Sequence, residues 1–286
     1  MQALYDVPAP AKLNLFLHIT GRRADGYHLL QSAFMLIDWC DTLHFERRTD
    51  GQVSREDLGE PLPADDLIVR AARALQQATG CALGVHVAVQ KRIPAQAGMG
   101  GGSSDAASTL LALNRLWGLG LTRAQLAAIG LQLGADVPFF IHGGNAWVEG
   151  IGEQIRPLSV PAARFVVIKP QAGLDTSAIF RAPELKRDSE PATILGFAAD
   201  PLAYGRNDLQ PVAERLCPPV AQAILLLARH GLRGRMTGSG SAVFAPLAQE
   251  ADVIVRLASS VPPGWSMRLC SNMEVHPLCG WASSDD

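Results

Sequence analysis

The chain has 286 residues, which at about 150 residues per domain suggests one large domain or two ordinary ones. Hydrophobic residues make up 48% and charged residues 18%, a composition that excludes a protein disordered along its whole length. Lysine and arginine total 25 against 27 aspartates and glutamates. The net charge of -2 argues against a protein whose main partner is a nucleic-acid backbone or an anionic membrane.

The first strong pattern, over residues 11–20, alternates leucine or isoleucine with other residues, the period of a strand with one face in the core. Lys12 and Asn14 stand two residues apart, so both side chains project from one face of this strand. A turn at residues 23–26 follows, and the apolar run from Tyr27 to Trp39 predicts a second strand.

Helix signals and strand signals then alternate. Asp65 and Asp66 can cap a helix running to about Thr79, which Gly80 ends. The valines over residues 85–89 alternate with other residues, so they predict a strand that leads into Pro94 and a glycine-rich loop.

Apolar residues at helical spacing predict a helix over Ser104–Trp117. Thr122 and Gln125 have the spacing of a capping box, so we expect another helix from there, ending at Gly134. Asp136 lies just beyond that helix end.

The second half of the chain carries fewer signals. We expect a strand at Phe165–Ile168, a helix near Val220–Arg229, a turn at Met236–Ser241, a strand at Ala242–Ala245 and a helix from about Gln249. Strands and helices interleave without a regular βαβ repeat, which favours an α+β fold. We place a domain boundary near residue 158, giving domains 1–157 and 158–286.

The segment Pro94–Asp105 is the most informative in the chain. Closely spaced glycines allow backbone N–H groups to turn inward, and the following helix contributes its free N–H groups and the positive end of its dipole. The segment therefore predicts a seat for phosphate oxygens. It is not a Walker A loop, because no Gly-Lys pair occurs in the sequence, and it fits a Rossmann fingerprint poorly. A plain turn before a helix is the structural alternative.

Each other candidate also has an ordinary structural explanation when taken alone. Lys12, one of only four lysines, could be a solvated strand end, and Asp136 could be a turn residue. The small residues of Thr237–Ser241 suit either a close approach to a ligand or a simple hairpin. The seven histidines show no metal-ligand spacing, and the five dispersed cysteines favour reduced thiols over a disulfide scaffold or a zinc ribbon.

The segment before Lys12 contains no basic residue and no apolar core, so we expect no signal peptide. The apolar stretch around Ile224 to Ala228 is too short to span a bilayer. These observations favour a cytoplasmic protein.

The chain resembles the GHMP small-molecule kinases over nearly its whole length. The features that carry this resemblance are the strand with Lys12, the glycine-serine loop, Asp136 and the second glycine turn. The segments that narrow this resemblance are 10–17 (PAKLNLFL), 23–28 (RADGYH), 134–140 (GADVPFF) and 237–244 (TGSGSAVF). They are similar to the members that act on a cytidine diphosphate-linked methylerythritol. Met99 departs from the leucine that these kinases more often carry, an apolar exchange that leaves the backbone seat intact.

The resemblance implies a two-domain α+β kinase with its active site in the interdomain cleft. It implies ATP and Mg²⁺ as cofactors and transfer of a phosphoryl group to the erythritol 2-hydroxyl, in non-mevalonate isoprenoid precursor biosynthesis. Small molecules would be its partners, with no nucleic acid and no membrane, and the protein would be a monomer or a homodimer.

The resemblance also implies roles for individual residues. Asp136 would accept the hydroxyl proton, and Lys12 would hold Asp136 ionised and steady that hydroxyl. Asn14 would contact the erythritol, and Ser104 is a candidate ligand for Mg²⁺. The implied ATP-binding residues are Pro94, Ala95, Gln96, Ala97, Gly98, Met99, Gly100, Gly101, Gly102, Ser103 and Ser104.

The same resemblance implies a site for the cytidine. Tyr27 and Phe180 would stack on the two faces of the base, His28 would bond its edge, and Thr176 would line the site. The segment Asn207–Leu209 also resembles a family segment, but no role is assigned to it. Three alternatives stay open at this point: a homoserine or mevalonate type of kinase, a non-catalytic ligand sensor of the same fold, and a nucleotide-binding structural module.

Overall fold

The structure is a computed structural model and describes residues 1–247 and 251–284. Within these ranges ten strands form one sheet. The strands are β1 (Ala3–Arg22), β2 (His28–Arg48), β3 (Val53–Asp57), β4 (Gly84–Gln90), β5 (Ala146–Glu149), β6 (Gln154–Pro157), β7 (Arg164–Lys169), β8 (Arg235–Met236), β9 (Val243–Leu247) and β10 (Ser266–Met273). The helices are α1 (Leu67–Thr79), α2 (Gly101–Trp117), α3 (Arg123–Leu131), α4 (Val137–His142), α5 (Thr176–Arg181), α6 (Ile194–Ala199), α7 (Gln210–Leu216), α8 (Pro218–Arg229) and α9 (Ala251–Ser260).

The long antiparallel pair β1 and β2 forms the centre of the molecule. The predicted turn joins them, with the N–H of Gly26 donating to the carbonyl of Arg23 at 3.0 Å. The prediction that β1 has only one face in the core is wrong. Leu13 on one face is fully buried, and Lys12 and Asn14 on the other face are buried as well. The core therefore covers both sides of the strand at this point.

The sheet runs through both halves of the chain, in the order β3-β4-β2-β10-β7-β9-β8. The link between the halves is a short antiparallel contact in which Leu36 and Ile37 of β2 pair with Met273 and Asn272 of β10. β1 and β5 also pair with β2, and β6 pairs with β5. Mixed pairing, with helices between the strands, is the predicted α+β arrangement.

Two helix boundaries differ from the prediction. α2 begins at Gly101, three residues before Ser104, because Gly100 takes a left-handed conformation (φ 71°) at the N-cap. Part of the predicted loop is therefore the first helical turn. α3 has the predicted Thr122–Gln125 capping box but ends at Leu131, not at Gly134. The predicted start of the last helix at Gln249 lies outside the described residues.

None of the helices in residues 1–247 and 251–284 is long and apolar enough to cross a membrane. The elements that matter most for the site are β1, which carries Lys12 and Asn14, and α2, whose N-terminus follows the glycine loop. α4 begins directly after Asp136, and the turn between β8 and β9 holds the second glycine segment.

Candidate active site

Lys12 and Asp136 lie beside each other although distant elements carry them. Lys12 Nζ is 3.5 Å from Asp136 Oδ2 and donates to Asn14 Oδ1 at 2.6 Å. The Lys12 side chain is only 4% exposed, whereas that of Asp136 is 30% exposed. A buried ammonium therefore supports a carboxylate that a ligand can reach.

The surroundings of Lys12 fix its position. Its backbone N–H donates to the carbonyl of Met99 at 3.0 Å, which attaches β1 to the glycine loop. Its ammonium also lies 4.7 Å from the centre of the Phe34 ring, a favourable cation–π distance. The solvated lysine that the sequence allowed as an alternative is wrong.

Asn14 is held as firmly as Lys12. Its Nδ2 donates to Ser32 Oγ at 2.9 Å, and its backbone N–H donates to Thr237 Oγ1 at 3.0 Å. Thr237 belongs to the second glycine turn, so this hydrogen bond ties the face of β1 that carries Lys12 and Asn14 to the C-terminal half of the chain.

Asp136 occupies the N-cap position of α4, yet its carboxylate makes no capping hydrogen bond to that helix. The residues that follow, Val137 and the two phenylalanines after it, are fully buried. Burial of α4 therefore holds the backbone of Asp136 while leaving the carboxylate available to a reacting group.

The predicted phosphate seat lines a cavity of about 500 Å³. At the first turn of α2, the N–H groups of Gly101, Gly102 and Ser103 have no carbonyl partner within the helix, which is the usual condition of a helix N-terminus. These groups and the helix dipole favour an anion at this point. Ten of the eleven implied ATP-binding residues line the cavity, namely all those over 94–103.

Ser104 is the exception. Its side chain is fully buried, it does not line the cavity, and its Oγ has no hydrogen-bond partner. The helix begins earlier than the sequence predicts, which rotates Ser104 away from the cavity and turns Ser103 and Asp105 toward it.

The two glycine segments pack against each other through their backbones. A Cβ on Gly98 would lie 2.1 Å from the carbonyl oxygen of Thr237, and one on Gly238 would lie 2.7 Å from the carbonyl of Gly98. The N–H of Ser241 also donates to the carbonyl of Gln96 at 3.0 Å. The segment Thr237–Ser241 thus supports the glycine loop, and its residues Ser239 and Gly240 line the same cavity.

The sequence analysis missed a charged cluster at the floor of this cavity. Lys91 Nζ bonds the carboxylates of both Asp41 and Asp105. Asp41 in turn accepts from the N–H of Ile93 at 2.8 Å, which anchors the chain entering the loop. Burial raises the pKa of Asp105. The position of Lys91 just before Pro94 was the available signal, but its partners are remote in sequence.

A second cavity, of about 770 Å³, holds the residues implied for the cytidine. His28 and Phe180 are in ring contact, with centroids 5.0 Å apart and planes 35° apart. Tyr27 also lines the cavity but is 61% exposed and contacts neither ring. The structure thus brings together two of the three predicted aromatic groups and places the third at the rim.

The two cavities meet at Thr176. This residue lines both of them, and its Oγ1 lies 2.7 Å from Ser239 Oγ on the second glycine turn. Two cations that the sequence analysis missed, Arg22 and Arg181, also line the second cavity. They bring positive charge to this cavity.

The segment Asn207–Leu209 has a structural explanation. Asn207 Nδ2 donates to the carbonyls of Met236 and Gly238, both at 2.8 Å. Asp208 Oδ2 accepts from the backbone N–H of Ile19 at 2.8 Å. The segment therefore joins the second glycine turn to β1.

No group of three or more histidine, cysteine, aspartate or glutamate side chains in the described part of the chain could hold a metal ion. Two buried oxygens near the start of α2 do lack a hydrogen-bond partner, Ser104 Oγ and Asp105 Oδ1. Mg²⁺ in nucleotide sites needs only one or two protein oxygens, because phosphates and waters supply the others. Unpartnered oxygens near the start of α2 meet this need for one or two protein ligands, so the residues present fit a bound Mg²⁺.

Comparison with known proteins agrees with this geometry. Residues 66–144 match the GHMP kinases N terminal domain and residues 190–261 match the GHMP kinases C terminal domain. The chain is 66% identical to a 4-diphosphocytidyl-2-C-methyl-D-erythritol kinase of Polaromonas sp., with 98% of this chain and 95% of the relative covered. It is 67% identical to the kinase of the same name from Delftia acidovorans, with 100% and 99% covered. The chain belongs to the GHMP kinase family.

Solved structures of GHMP kinases share the fold. A crystal structure of 4-(cytidine 5'-diphospho)-2C-methyl-D-erythritol kinase superposes with a TM-score of 0.79 at 35% identity, covering 93% of this chain and 98% of that one. A homoserine kinase from Cytophaga hutchinsonii superposes with a TM-score of 0.71 at 16% identity, covering 96% of each chain. At 16% identity, the similarity to the homoserine kinase shows a shared fold and nothing about the substrate. The predicted fold class and family are confirmed.

Proposed function

We propose that this GHMP kinase transfers the γ-phosphoryl group of ATP to the 2-hydroxyl of 4-diphosphocytidyl-2-C-methyl-D-erythritol, a step of non-mevalonate isoprenoid precursor biosynthesis. The observation that carries the proposal is the identity of 66–67%, over nearly the whole length, with kinases named for this substrate. Two adjoining cavities that meet at Thr176 support it, since the reaction needs a nucleotide and a second, cytidylated substrate.

The cavity of the glycine loop receives the ATP phosphates. The free N–H groups of Gly101, Gly102 and Ser103 donate to phosphate oxygens, and the dipole of α2 adds positive potential. Because the loop is packed against the second glycine turn, these donors are in position before ATP binds. Phosphoryl transfer depends mainly on such positioning and on charge stabilisation.

Asp136 is the general base. Its carboxylate takes the proton of the substrate hydroxyl, whose oxygen forms a bond to the γ-phosphorus. The bond from that phosphorus to the bridging oxygen breaks, and ADP leaves with the electron pair. Lys12, at 3.5 Å from the carboxylate, steadies the hydroxyl and compensates the negative charge that develops on its oxygen. Asn14, held beside Lys12 at 2.6 Å, contacts the erythritol chain.

The second cavity receives the cytidine diphosphate. Tyr27 and Phe180 stack on the base, His28 bonds its edge, and Thr176 lies between base and phosphates. Arg22 and Arg181 face the diphosphate.

Asp105, which lines the cavity and has an unpartnered Oδ1, is the residue that would hold Mg²⁺, in place of the Ser104 that the family resemblance implied. Mg²⁺ bound with ATP neutralises phosphate charge during the transfer. Asp105 lines the cavity, whereas Ser104 is buried behind the first helical turn and does not line it.

We extend the proposal to the whole molecule. The domain boundary lies near residue 158, between the parts that match the N-terminal and C-terminal family domains. The protein works in the cytoplasm as a monomer or a homodimer.

Coupled ADP release with three acceptors tests the function: the cytidylated methylerythritol, mevalonate and homoserine. We expect turnover with the first alone. Turnover with mevalonate or homoserine would favour the other GHMP activities, and nucleotide binding without turnover of any acceptor would favour a ligand sensor.

A further inference from the structure

Arg187 connects the two sides of the second cavity from outside its lining. Its Nε–H donates to His28 Nε2 at 3.0 Å, at the first residue of β2. Its Nη2 donates to the carbonyls of Phe180 at 3.1 Å and Ala182 at 2.7 Å, at the end of α5. Its Nη1 donates to the carbonyl of Leu185 at 3.0 Å. One side chain therefore fixes both members of the His28–Phe180 ring pair.

The hydrogen bond from Arg187 also fixes the tautomer of His28. A guanidinium is always protonated and can only donate, so Nε2 of His28 must be the acceptor. In the neutral ring the proton then resides on Nδ1. Among residues 1–247 and 251–284, Nδ1 of His28 has no hydrogen-bond partner. His28 lines the cavity, so this N–H is available to a ligand.

The charges around His28 keep its ring neutral. Burial lowers the pKa of His28, and the positive charges of Arg187 and Arg22 lower it further. Within the described residues no carboxylate forms an ion pair with Arg187, whose charge acts on Glu184 without direct contact and whose other hydrogen bonds go to backbone carbonyls. A protonated ring would also place an N–H against the guanidinium N–H and lose that hydrogen bond.

We infer that Arg187 is a positioning residue for substrate specificity: by holding His28 as the Nδ1–H tautomer against Phe180, it makes the site select cytosine over uracil. The inference rests on the proposed function, which places the pyrimidine in this cavity. The chemistry follows from the two bases. Cytosine presents an acceptor at N3, which the N–H of His28 can meet. Uracil presents an N–H at the same position, and two facing donors repel.

This role differs from that of a structural anchor. An anchor would stabilise the turn after α5, and its loss would weaken every ligand of the cavity alike. If Arg187 fixes the tautomer of His28, its removal should instead abolish discrimination between the two bases. The imidazole could then present either a donor or an acceptor to the base.

Two measurements on the full-length protein test the inference. The first is ¹⁵N NMR of the histidine rings in the wild type, with His28→Gln used to assign the signal. We expect the Nδ1–H tautomer for His28. The Nε2–H tautomer, or a charged ring at neutral pH, would overturn the inference, and this measurement needs neither substrate nor a folded Arg187 variant.

The second measurement compares kcat/KM for the cytidylated substrate with that for the same compound carrying uracil, in wild type, Arg187→Met and Lys186→Met. Lys186 is the matched control, since its ammonium bonds the exposed Asp188 and no other side chain in the described part of the chain. We expect Arg187→Met to reduce the preference for cytosine about tenfold or more, with an unchanged KM for ATP. Lys186→Met should retain the full preference.

If Arg187→Met lowered kcat/KM equally for both pyrimidine substrates, so that the preference for cytosine was unchanged, the inference would be overturned and Arg187 would be a structural anchor. Failure of the proposed function gives a different result: the wild-type enzyme itself would then turn over neither pyrimidine compound, whatever tautomer NMR shows for His28.

Discussion

Gly98 and Thr237 approach each other so closely that a Cβ on Gly98 would lie 2.1 Å from the carbonyl oxygen of Thr237. This contact joins the glycine loop of the N-terminal half to the second glycine turn of the C-terminal half. No side chain can be accommodated there without moving one of the two backbones.

We therefore expect Gly98→Ala to lower the melting temperature and to raise the KM for ATP. Gly118→Ala is the matched control, because Gly118 has the same φ of 69° but nothing within 4 Å of an added Cβ. In the control, the free energy of unfolding should fall only by the roughly 1–2 kcal/mol that an alanine costs in the left-handed conformation. Thermal unfolding of both variants measures how much stability each one loses. Equal decreases in the two variants would show that the close contact with Thr237 does not add to the destabilisation of Gly98→Ala.

The pair of Lys12 and Asp136 is best tested by a double-mutant cycle. Asp136→Asn keeps the shape of the side chain and removes the base, so kcat should fall about 10²–10⁴-fold with little change in the melting temperature. Lys12→Met should also lower kcat. If the two residues act as a unit across their 3.5 Å contact, the double variant should be scarcely worse than Asp136→Asn alone. Near-normal turnover by a folded Asp136→Asn enzyme would contradict the assignment.

Local signals predicted the elements that present this site. The cap within Asp65–Asp66, which the structure assigns to Asp66, the helix end at Gly80 and the capping box at Thr122 all occur as predicted. Each depends on residues within one turn of the chain. α4 escaped prediction, since six residues show too little periodicity to distinguish a helix from a turn.

Contacts between distant residues could not be predicted in this way. Nothing in the local sequence indicates that Lys91 will bond both Asp41 and Asp105, or that Arg187 will reach His28. The meeting of Lys12 with Asp136 was expected only through the family resemblance. Such contacts depend on how the sheet brings remote strands and loops together, which composition and spacing do not encode.

The phosphate seat can be tested at Gly102. A valine at Gly101 would be a poor test, since its Cβ would already lie 3.0 Å from Ile93. Gly102 is exposed, and a Cβ there meets only the tip of Leu67 at 3.4 Å. We expect Gly102→Ala to bind ATP nearly as the wild type does. Gly102→Asp should raise the KM for ATP at least tenfold, because its carboxylate would occupy the anion site at the helix N-terminus. Equal KM values for the two variants would place the phosphates elsewhere.

The stability of the protein at acid pH should depend on His276. Burial lowers the pKa of this histidine from 6.5 to about 4. The unfolded chain therefore takes up the proton first, so the contribution to stability is complete above pH 6.5 and is lost as the pH falls from there toward 4. The loss is about 1.4 kcal/mol per pH unit inside that window.

His276→Gln removes this titration and retains an acceptor for the N–H of Leu278, which His276 Nδ1 now accepts at 3.1 Å. Urea unfolding at pH 7.5 and pH 5 should show a smaller acid loss in His276→Gln than in the wild type. Identical losses in the two proteins would mean that His276 is not the group responsible.

Tyr27 provides the test of the cytosine site that a packing role cannot imitate. It is 61% exposed and lines the second cavity, so its ring stabilises little of the fold and is free to stack on a base. Stacking on a base contributes roughly 1–3 kcal/mol, and each 1.4 kcal/mol is about tenfold in affinity. Tyr27→Ala should therefore raise the KM for the cytidylated substrate by about one to two orders of magnitude.

Tyr5→Ala is the matched control for Tyr27, because Tyr5 is equally exposed, at 62%, its hydroxyl bonds Glu46, and it lines neither of the two cavities described above. The KM for ATP should hardly change in either variant, since the glycine loop does not include these tyrosines. Both KM values are measured together with the melting temperature. If Tyr27→Ala harmed both substrates alike and unfolded at a lower temperature, Tyr27 would be a packing residue and the stacking role would be wrong. A selective rise for the cytidylated substrate, at an unchanged melting temperature, is the result that the exposed position of Tyr27 predicts.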